Sequence, residues 1–447
     1  MPTLRESIDK LFRNEFYRNI LGLFSGMFLA RLFPALFALL IVRIYSPENF
    51  GLFVLYLTIA SALSIVSTGK FENAIILADS AEEKRNLFWL SQKINVWVNA
   101  AAAVIIAVVV FAAGIGEKST VYLLLLIPVY SFFFAAVQLV RTIFISNKFF
   151  RKLSFLEIIR SLLTGVLQCL LFVFPETGLF LGAVLAQAAT FFWFTKKLPE
   201  TRWVGTIRFL EEELRLGKRY INFPIYSVAS EIFNFLSSQL PVFLVKPFFG
   251  ATMLGLYSFP HRYVSTPVQL LSTSISRVYV QKAQTLKNNI PELGGLTLSL
   301  FKKQFLMGII PFAVMGLWGE PLFRFVFGAE WAFSGFLAQL IAPWLFVVML
   351  SSPLSSILIV MEKQRVSMVY NVLLLVFRIV SLLAGGLILK DISWAIGLYS
   401  FTGFVFFVAL GIYSLKLAGV NLAKTAKFVG FVVLLILIPL ILLRIWM

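Results

Sequence analysis

TVYLLLLIPVYSFFFAAVQLV, residues 120–140, holds no charged side chain, and the chain turns basic directly after it with Arg141, Lys148, Arg151 and Lys152. A helix rises about 1.5 Å per residue, so about 20 apolar residues cross the ~30 Å hydrocarbon layer of a bilayer. This stretch is long enough, and its pattern recurs in both directions. Apolar runs occupy 20–42, 50–68, 95–114, 120–140, 154–175 and 178–195, then 221–246, 251–276, 304–318, 335–357, 366–389 and 393–415. A further run, 428–446, is apolar enough to span a bilayer or to lie in its interface. The 447 residues are 60% hydrophobic and 13% charged, about half the charge of an ordinary soluble domain. The sequence therefore predicts an all-α polytopic membrane protein with twelve spanning helices and one extra C-terminal helix.

A formal net charge of +18 raises nucleic-acid binding, but the basic residues are dispersed between apolar runs instead of forming one patch. They sort by side. With the N-terminus (Arg5, Lys10, Arg13, Arg18) in the cytoplasm, one side collects Lys70, Lys84, Arg85, Lys93, Arg141, Lys148, Arg151, Lys152 and the segment 196–219. Arg277, Lys282, Lys287, Lys302, Lys303, Lys363, Arg365, Lys416, Lys424 and Lys427 join them. The opposite side keeps Arg43, Lys118, Lys246, Arg324, Lys390 and Arg444, so the positive-inside rule favours this orientation. The first apolar run holds Arg31 and Pro34 and is too long for a cleaved signal, so it is expected to remain as helix 1.

The longest polar connection divides the chain near its middle. Its Ile207, Leu210 and Leu214 fall at helical spacing among charges, as in an amphipathic helix on a membrane face or a solvated linker. The expected organisation is an N-terminal lobe at 1–197, a linker at 198–220, a C-terminal lobe at 221–417 and a hydrophobic segment at 424–447. Six helices on each side of the linker give both lobes the same orientation, as in transporters built from parallel repeats. SPENFGLF (46–53) matches GATMLGLY (250–257), and SLLTG (161–165) matches SLLAG (381–385), which favours duplication.

Several helices carry polar residues at steps of three and four, which keeps them on one face. Helix 5 has Glu157, Arg160, Thr164 and Gln168; helix 7 has Ser227, Glu231, Asn234 and Ser238. Helix 8 has Ser258, His261, Arg262, Ser265, Gln269 and Ser272; helix 11 has Asn371, Arg378 and Ser381. Neutral residues of this kind commonly serve only to join helices, each bond worth about 0.6–2 kcal/mol. Arginine is different, because a charge at mid-bilayer costs at least about 2.5 kcal/mol, so Arg31, Arg160, Arg262 and Arg378 should face water or a ligand. Snorkelling to an interface is the competing use of such a side chain. Glu157 and Arg160, three apart, can neutralise each other or hold ligand. Glu231 has no basic neighbour on its own helix and is the candidate for exchanging a proton or holding a cation. Asn234, Gln269 and Asn371 are candidate lining residues. Four arginines against two glutamates leave a basic interior, suited to an anionic passenger. His261 is expected to be a packing residue.

One cysteine, Cys169, and one histidine exclude a disulfide framework and any Cys/His metal site, and no cofactor is expected. No P-loop occurs, since Gly69-Lys70 is followed by Phe71, so the chain is not expected to hydrolyse ATP through that motif. The outside connection near 319–334 leaves little room for a catalytic domain, which disfavours a sugar transferase or polymerase.

Three regions carry a resemblance: ALLIVRIYSPENFGLFVLYLTIASALSIVSTGKFENAIILA (38–78), GLYSFPHRYVSTPVQLLSTSISRVYVQKA (255–283), and FGAEWAFSG with APWLFVVMLSSPLSSIL (327–335 and 342–358). With them the chain resembles the multidrug/oligosaccharidyl-lipid/polysaccharide exporter superfamily, and within it the polysaccharide or O-antigen flippases. The resemblance implies two six-helix bundles in a V around a central cavity. It implies alternating access that carries an oligosaccharide on undecaprenyl diphosphate, or a similar polyprenyl carrier, from the cytoplasmic to the outer leaflet. Membrane lipids and other polysaccharide-assembly proteins are the partners it implies, with a proton or Na+ gradient as a driving force and Glu231 or Glu157 as the candidate carrier. Basic residues of helices 1 and 8 contact the diphosphate in related flippases, and Arg31 and Arg262 occupy those positions; Arg160 and Arg378 join them as candidate diphosphate-binding residues. Leu32 departs from the acidic residue that follows the helix 1 arginine in the peptidoglycan-precursor branch. The alternatives are a drug or organic-cation antiporter of the same superfamily, which wants uncompensated acidic residues, and a membrane polysaccharide polymerase.

Overall fold

A computed structural model describes residues 32–78, 80–196, 198, 201 and 208–446. These residues are helical almost throughout, and eleven helices among them are long and apolar enough to cross a membrane. Arg31 and Ile207 lie outside the described residues. The chain divides into two compact units: the stretch up to Tyr45 with Leu52–Gln239, and Ser46–Gly51 with Leu240–Met447.

The first unit contains α1 (Leu32–Ile44), most of α2 (Pro47–Ser67), the short α3 (Glu72–Leu77) and α4 (Ala81–Ala112). It continues through α5 (Lys118–Ser146), α6 (Phe150–Leu170), α7 (Gly178–Thr195), α8 (Glu211–Arg219) and α9 (Val228–Ser238). Its core joins Leu87, Phe88 and Leu90 of α4, Val140, Ile143 and Phe144 of α5, Leu153 and Leu156 of α6, Phe194 of α7 and Leu216 of α8. Lipid is as apolar as these side chains, so specific polar bonds add to the packing. Asn99 donates to Ser67 Oγ at 3.1 Å, Ser67 and Ser131 share a bond of 3.2 Å, and Asn95 donates to the Phe132 carbonyl at 3.0 Å. These bonds tie α4 to α2 and α5.

The polar connection suggested as a divider belongs physically to this first unit. Its helix α8 carries Glu211–Glu213 in the first turn and Lys218 and Arg219 in the last, the charge order that suits the helix dipole. Lys93 of α4 donates to both oxygens of Glu213 at 2.8 Å and to the Arg208 carbonyl at 2.7 Å. Their side chains are 3% and 1% exposed. At the far end Arg219 pairs with Glu83 at 3.2 Å, and the Tyr220 hydroxyl donates to the same carboxylate at 3.1 Å. The boundary between the units accordingly falls between Gln239 and Leu240, inside the seventh apolar stretch.

The second unit holds α10 (Leu240–Thr285), α11 (Ile290–Phe327), α12 (Ala332–Ser355), the short α13 (Ile357–Val360), α14 (Gln364–Leu383), α15 (Ile392–Leu417) and α16 (Leu422–Trp446). Helix α10 contains a kink at Gly250, whose φ of 87° lies in the left-handed region. The helix is broken at that residue, between the apolar runs at 221–246 and 251–276. The best buried helix is α12, with α10, α11 and α15 packed on it. Small residues at Ala332, Ser334, Gly335, Ala338 and Ala342 allow that close approach. Ser46–Gly51 is anchored here by Phe50, whose ring meets Phe259 at 5.5 Å and Trp331 at 5.9 Å. Gly51 and Gly255, equivalent glycines of the two matching stretches, face each other so closely that a Cβ on either would strike the other helix's backbone at about 2 Å. Helix α16 covers the run at 428–446 and is long and apolar enough to span.

Candidate functional site

The first unit encloses a cavity of about 430 Å3 among α2, α5 and α9. Ser61, Ser64 and Thr68 fall on one face of the end of α2, and Phe134, Gln138 and Thr142 do the same on α5. The chain turns sharply after Thr68, with Lys70 at φ 57°. That turn points the Lys70 ammonium back into the cavity, where it lies 2.8 Å from Glu231 Oε2 and 3.3 Å from Glu72 Oε1. The Thr68 hydroxyl donates to Glu72. Lys70 and Glu72 are largely covered, whereas the Glu231 side chain is 48% exposed. Glu231, with no basic partner on its own helix, thus finds one on another.

Gln138 connects this cavity to a second charge cluster. Arg141 contacts Gln138 and places Nε 2.6 Å from Glu157 Oε1. Arg160 donates to Glu157 Oε2 at 2.7 Å. Glu157 is buried and held by two guanidinium groups, so the expected Glu157–Arg160 pair forms with a third member. Lys70, Arg141 and Arg160 are balanced by Glu72, Glu157 and Glu231. These two clusters are neutral together, three cations against three carboxylates among the described residues.

The second unit places its arginine differently. Arg378 of α14 sits with its guanidinium carbon 4.9 Å from the ring centres of both Trp344 on α12 and Tyr399 on α15. His261 of α10 stacks on Tyr257 at 5.4 Å and on Trp344 at 6.1 Å, consistent with the packing role expected of it. Ser381 of α14 shares a hydrogen bond of 2.7 Å with Thr402 of α15. Arg262 is exposed one residue beyond His261, and Gln269 and Asn371 are exposed as well, as is Asn234 in the first unit.

The structure thus brings together Glu157 with Arg160, and Glu231 with Lys70. It does not bring Arg378 to any carboxylate among the described residues. Lys70 and Arg141 were read from sequence only as loop charges, and Glu72, Trp344 and Tyr399 not at all. The signal for Lys70 was the GKFE turn directly after an apolar run, which sets a cation and a carboxylate two residues apart.

A model of the family described as "Polysaccharide biosynthesis protein" matches residues 40–334. The succinoglycan biosynthesis transport protein ExoT of Rhizobium meliloti (strain 1021) is 25% identical over 313 residues, 66% of this chain. The chain spans about three fifths of that relative's length, 59%. Among solved structures, an inward-facing multidrug resistance transporter of the MATE family superposes with a TM-score of 0.66 at 13% identity, covering 87% of this chain and 94% of that one. The lipid II flippase MurJ in an inward closed conformation gives 0.65 at 13% identity, covering 88% and 87%. At such identity these two structures speak for the fold. With the family match extending over most of the chain, the protein belongs to the polysaccharide biosynthesis protein family, and by its helices and fold it is a multi-pass membrane protein.

Proposed function

We propose that the protein is a flippase that carries a polyprenyl-diphosphate-linked oligosaccharide from the cytoplasmic to the outer leaflet of a bacterial cytoplasmic membrane. Its cycle is alternating access by two six-helix bundles in a V around a central cavity, with the N-terminus cytoplasmic. The carrying observation is the lining of the first unit's cavity: hydroxyls of Ser61, Ser64, Thr68 and Thr142, the Gln138 amide, carboxylates, and the rings of Phe134 and Phe235. Hydroxyl, amide and carboxylate groups exchange hydrogen bonds with sugar hydroxyls, while phenyl faces cover the apolar faces of a pyranose. A cationic drug would instead favour acidic residues left unneutralised, and Lys70, Arg141 and Arg160 neutralise those present. The ~430 Å3 suits part of an oligosaccharide, not the whole lipid-linked molecule.

In this reading the diphosphate falls to Arg262 and, by the matching position, to Arg31. Guanidinium groups give charge-assisted, bidentate bonds to phosphate. Arg160 orients Glu157 and contributes positive potential at one remove. Glu231 is the coupling carboxylate: a proton or Na+ at its exposed oxygens competes with Lys70 for the same charge, which links ion binding to the docking of α9. The two arrangements of the bundles need differ by only a few kcal/mol for ligand binding to bias them.

Substitution of Arg262 by Ala and by Lys in cells tests the reading. The Ala variant, at wild-type protein level, accumulates lipid-linked oligosaccharide on the cytoplasmic leaflet, and Lys restores part of the flux. Accumulation of chains of altered length, with no leaflet asymmetry, points to a polymerase and contradicts the proposal.

A further inference from the structure

Arg378 poses a problem of charge that the transport reading does not solve. The residue is only 9% exposed and has no carboxylate partner among the described residues. Its Nε is fully covered and has no hydrogen-bond partner there either. The faces of Trp344 and Tyr399 attract the guanidinium through their ring quadrupoles, but neither ring carries a negative charge. Arginine stays charged in proteins, so an isolated guanidinium inside a helical bundle is costly unless a counter-charge or ordered water replaces the lost hydration.

The same neighbourhood is rich in donors that lack acceptors. The Tyr257 hydroxyl and Trp344 Nε1 are buried without a hydrogen-bond partner, on side chains 1% and 6% exposed. The stack of Tyr257, His261 and Trp344 is continuous with the Arg378 cage, because Trp344 belongs to both. Tyr399 meets the Trp344 ring edge-on at 5.4 Å, closing one side. Buried polar groups are nearly always satisfied, so two unsatisfied donors beside one unpaired cation call for an acceptor that carries negative charge.

We propose that the second unit binds one small monovalent anion, such as a halide, against Arg378. One uncompensated guanidinium matches one negative charge. The enclosure by Trp344, Tyr399 and the Tyr257–His261 stack matches a compact ion and not a lipid-borne diphosphate, which carries more charge and two large substituents. The bound anion neutralises α14 against α12 and α15 and is a resident of the fold. The proposal does not depend on what the protein transports.

The test is equilibrium binding of radiolabelled chloride to the full chain in nanodiscs of zwitterionic lipid, washed into gluconate buffer at fixed ionic strength. Wild type binds one equivalent saturably, and bromide displaces it. Arg378→Met lowers affinity more than tenfold, Arg378→Lys lowers it less, and Arg365→Met, at the start of the same helix, leaves it unchanged. Absence of saturable binding by wild type overturns the proposal, as does unchanged binding by Arg378→Met. Should the Met variant not fold, the Lys variant decides, and unchanged affinity there also overturns it. Displacement by inorganic pyrophosphate at concentrations as low as those of chloride assigns the site to a phosphate headgroup and contradicts a resident halide. Chloride-free wild type also unfolds at lower temperature than chloride-bound protein, by linkage, whereas Arg378→Met is insensitive to chloride.

Discussion

Neutralising Glu213 removes the carboxylate that receives Lys93, and the geometry states what that costs. The ammonium would keep one acceptor, the Arg208 carbonyl at 2.7 Å, in a setting where only 3% of the lysine side chain is exposed. Breaking a buried pair from one side costs about 3–5 kcal/mol, against about 0–1 for an exposed pair. Glu213 also accepts the Leu210 N–H at 2.9 Å, so Glu213→Gln further weakens the start of α8. The loss is local, because α8 is a short helix held to α4 by this pair, by Leu216 and by the Glu83 contacts. Hydrogen exchange of residues 211–219 is therefore the assay. At 1.4 kcal/mol per tenfold, protection should fall roughly a hundredfold to several-thousandfold, or to the limit set by full undocking. Glu212→Gln, which breaks an exposed pair with Arg215 at 2.9 Å, changes protection by less than about fivefold. The double substitution Lys93→Met with Glu213→Leu recovers most of the loss, since an apolar pair leaves no buried charge. A loss below tenfold for Glu213→Gln, or a double variant as exchange-prone as either single one, refutes the reasoning.

Other expectations can be checked beside it. Gly255→Leu inserts a side chain where a Cβ already meets the Pro47 carbonyl at 1.8 Å, so it should separate α10 from the start of α2 and lower yield of folded protein in detergent; Gly295→Leu, with open space around it, should not. Glu157→Gln leaves Arg141 and Arg160 beside each other without their shared carboxylate, and should lower thermal stability by about 3–5 kcal/mol, while Arg141→Met with Glu157→Gln restores part of it. The Glu362 carboxylate lies outside the spanning helices, and its hydrogen bond from Lys287 at 2.8 Å holds its pKa below the ordinary value. A depressed carboxylate stabilises the fold above its unfolded pKa and loses that contribution as pH falls through the folded value, so Lys287→Ala should flatten the acid limb of a stability profile below about pH 4.5, an effect that high salt also removes.

What could be read in sequence divides along a physical line. Apolar length is a one-dimensional property, and every predicted run that falls within the described residues is helical. The ends differ: α4 begins at Ala81, not 95, and α11 at Ile290, not 304, because polar helix continues past the hydrocarbon while hydropathy registers only the part in lipid. The break at Gly250 falls in the short gap between the runs at 221–246 and 251–276, so that boundary was legible. The matching glycines at 51 and 255 were visible as repeats, but their mutual contact was not. Pairing along one helix was legible, as with Glu157 and Arg160. Pairing across helices was not, because Lys70 reaches Glu231 and Arg141 reaches Glu157 through packing that no local spacing encodes. In the second unit, four apolar or aromatic positions surround Arg378, and nothing in their sequence marks them as a cage.

The most direct measurement is transbilayer transfer in proteoliposomes. Purified protein is reconstituted with a polyprenyl-diphosphate-linked oligosaccharide, and a membrane-impermeant glycosidase reports how much substrate reaches the outer leaflet. The account predicts protein-dependent exposure of the inner-leaflet pool, sharply slowed in Arg262→Ala and partly restored in Arg262→Lys. Transfer no faster than in protein-free vesicles, when the native lipid-linked sugar and an imposed proton or Na+ gradient are both supplied, would contradict it.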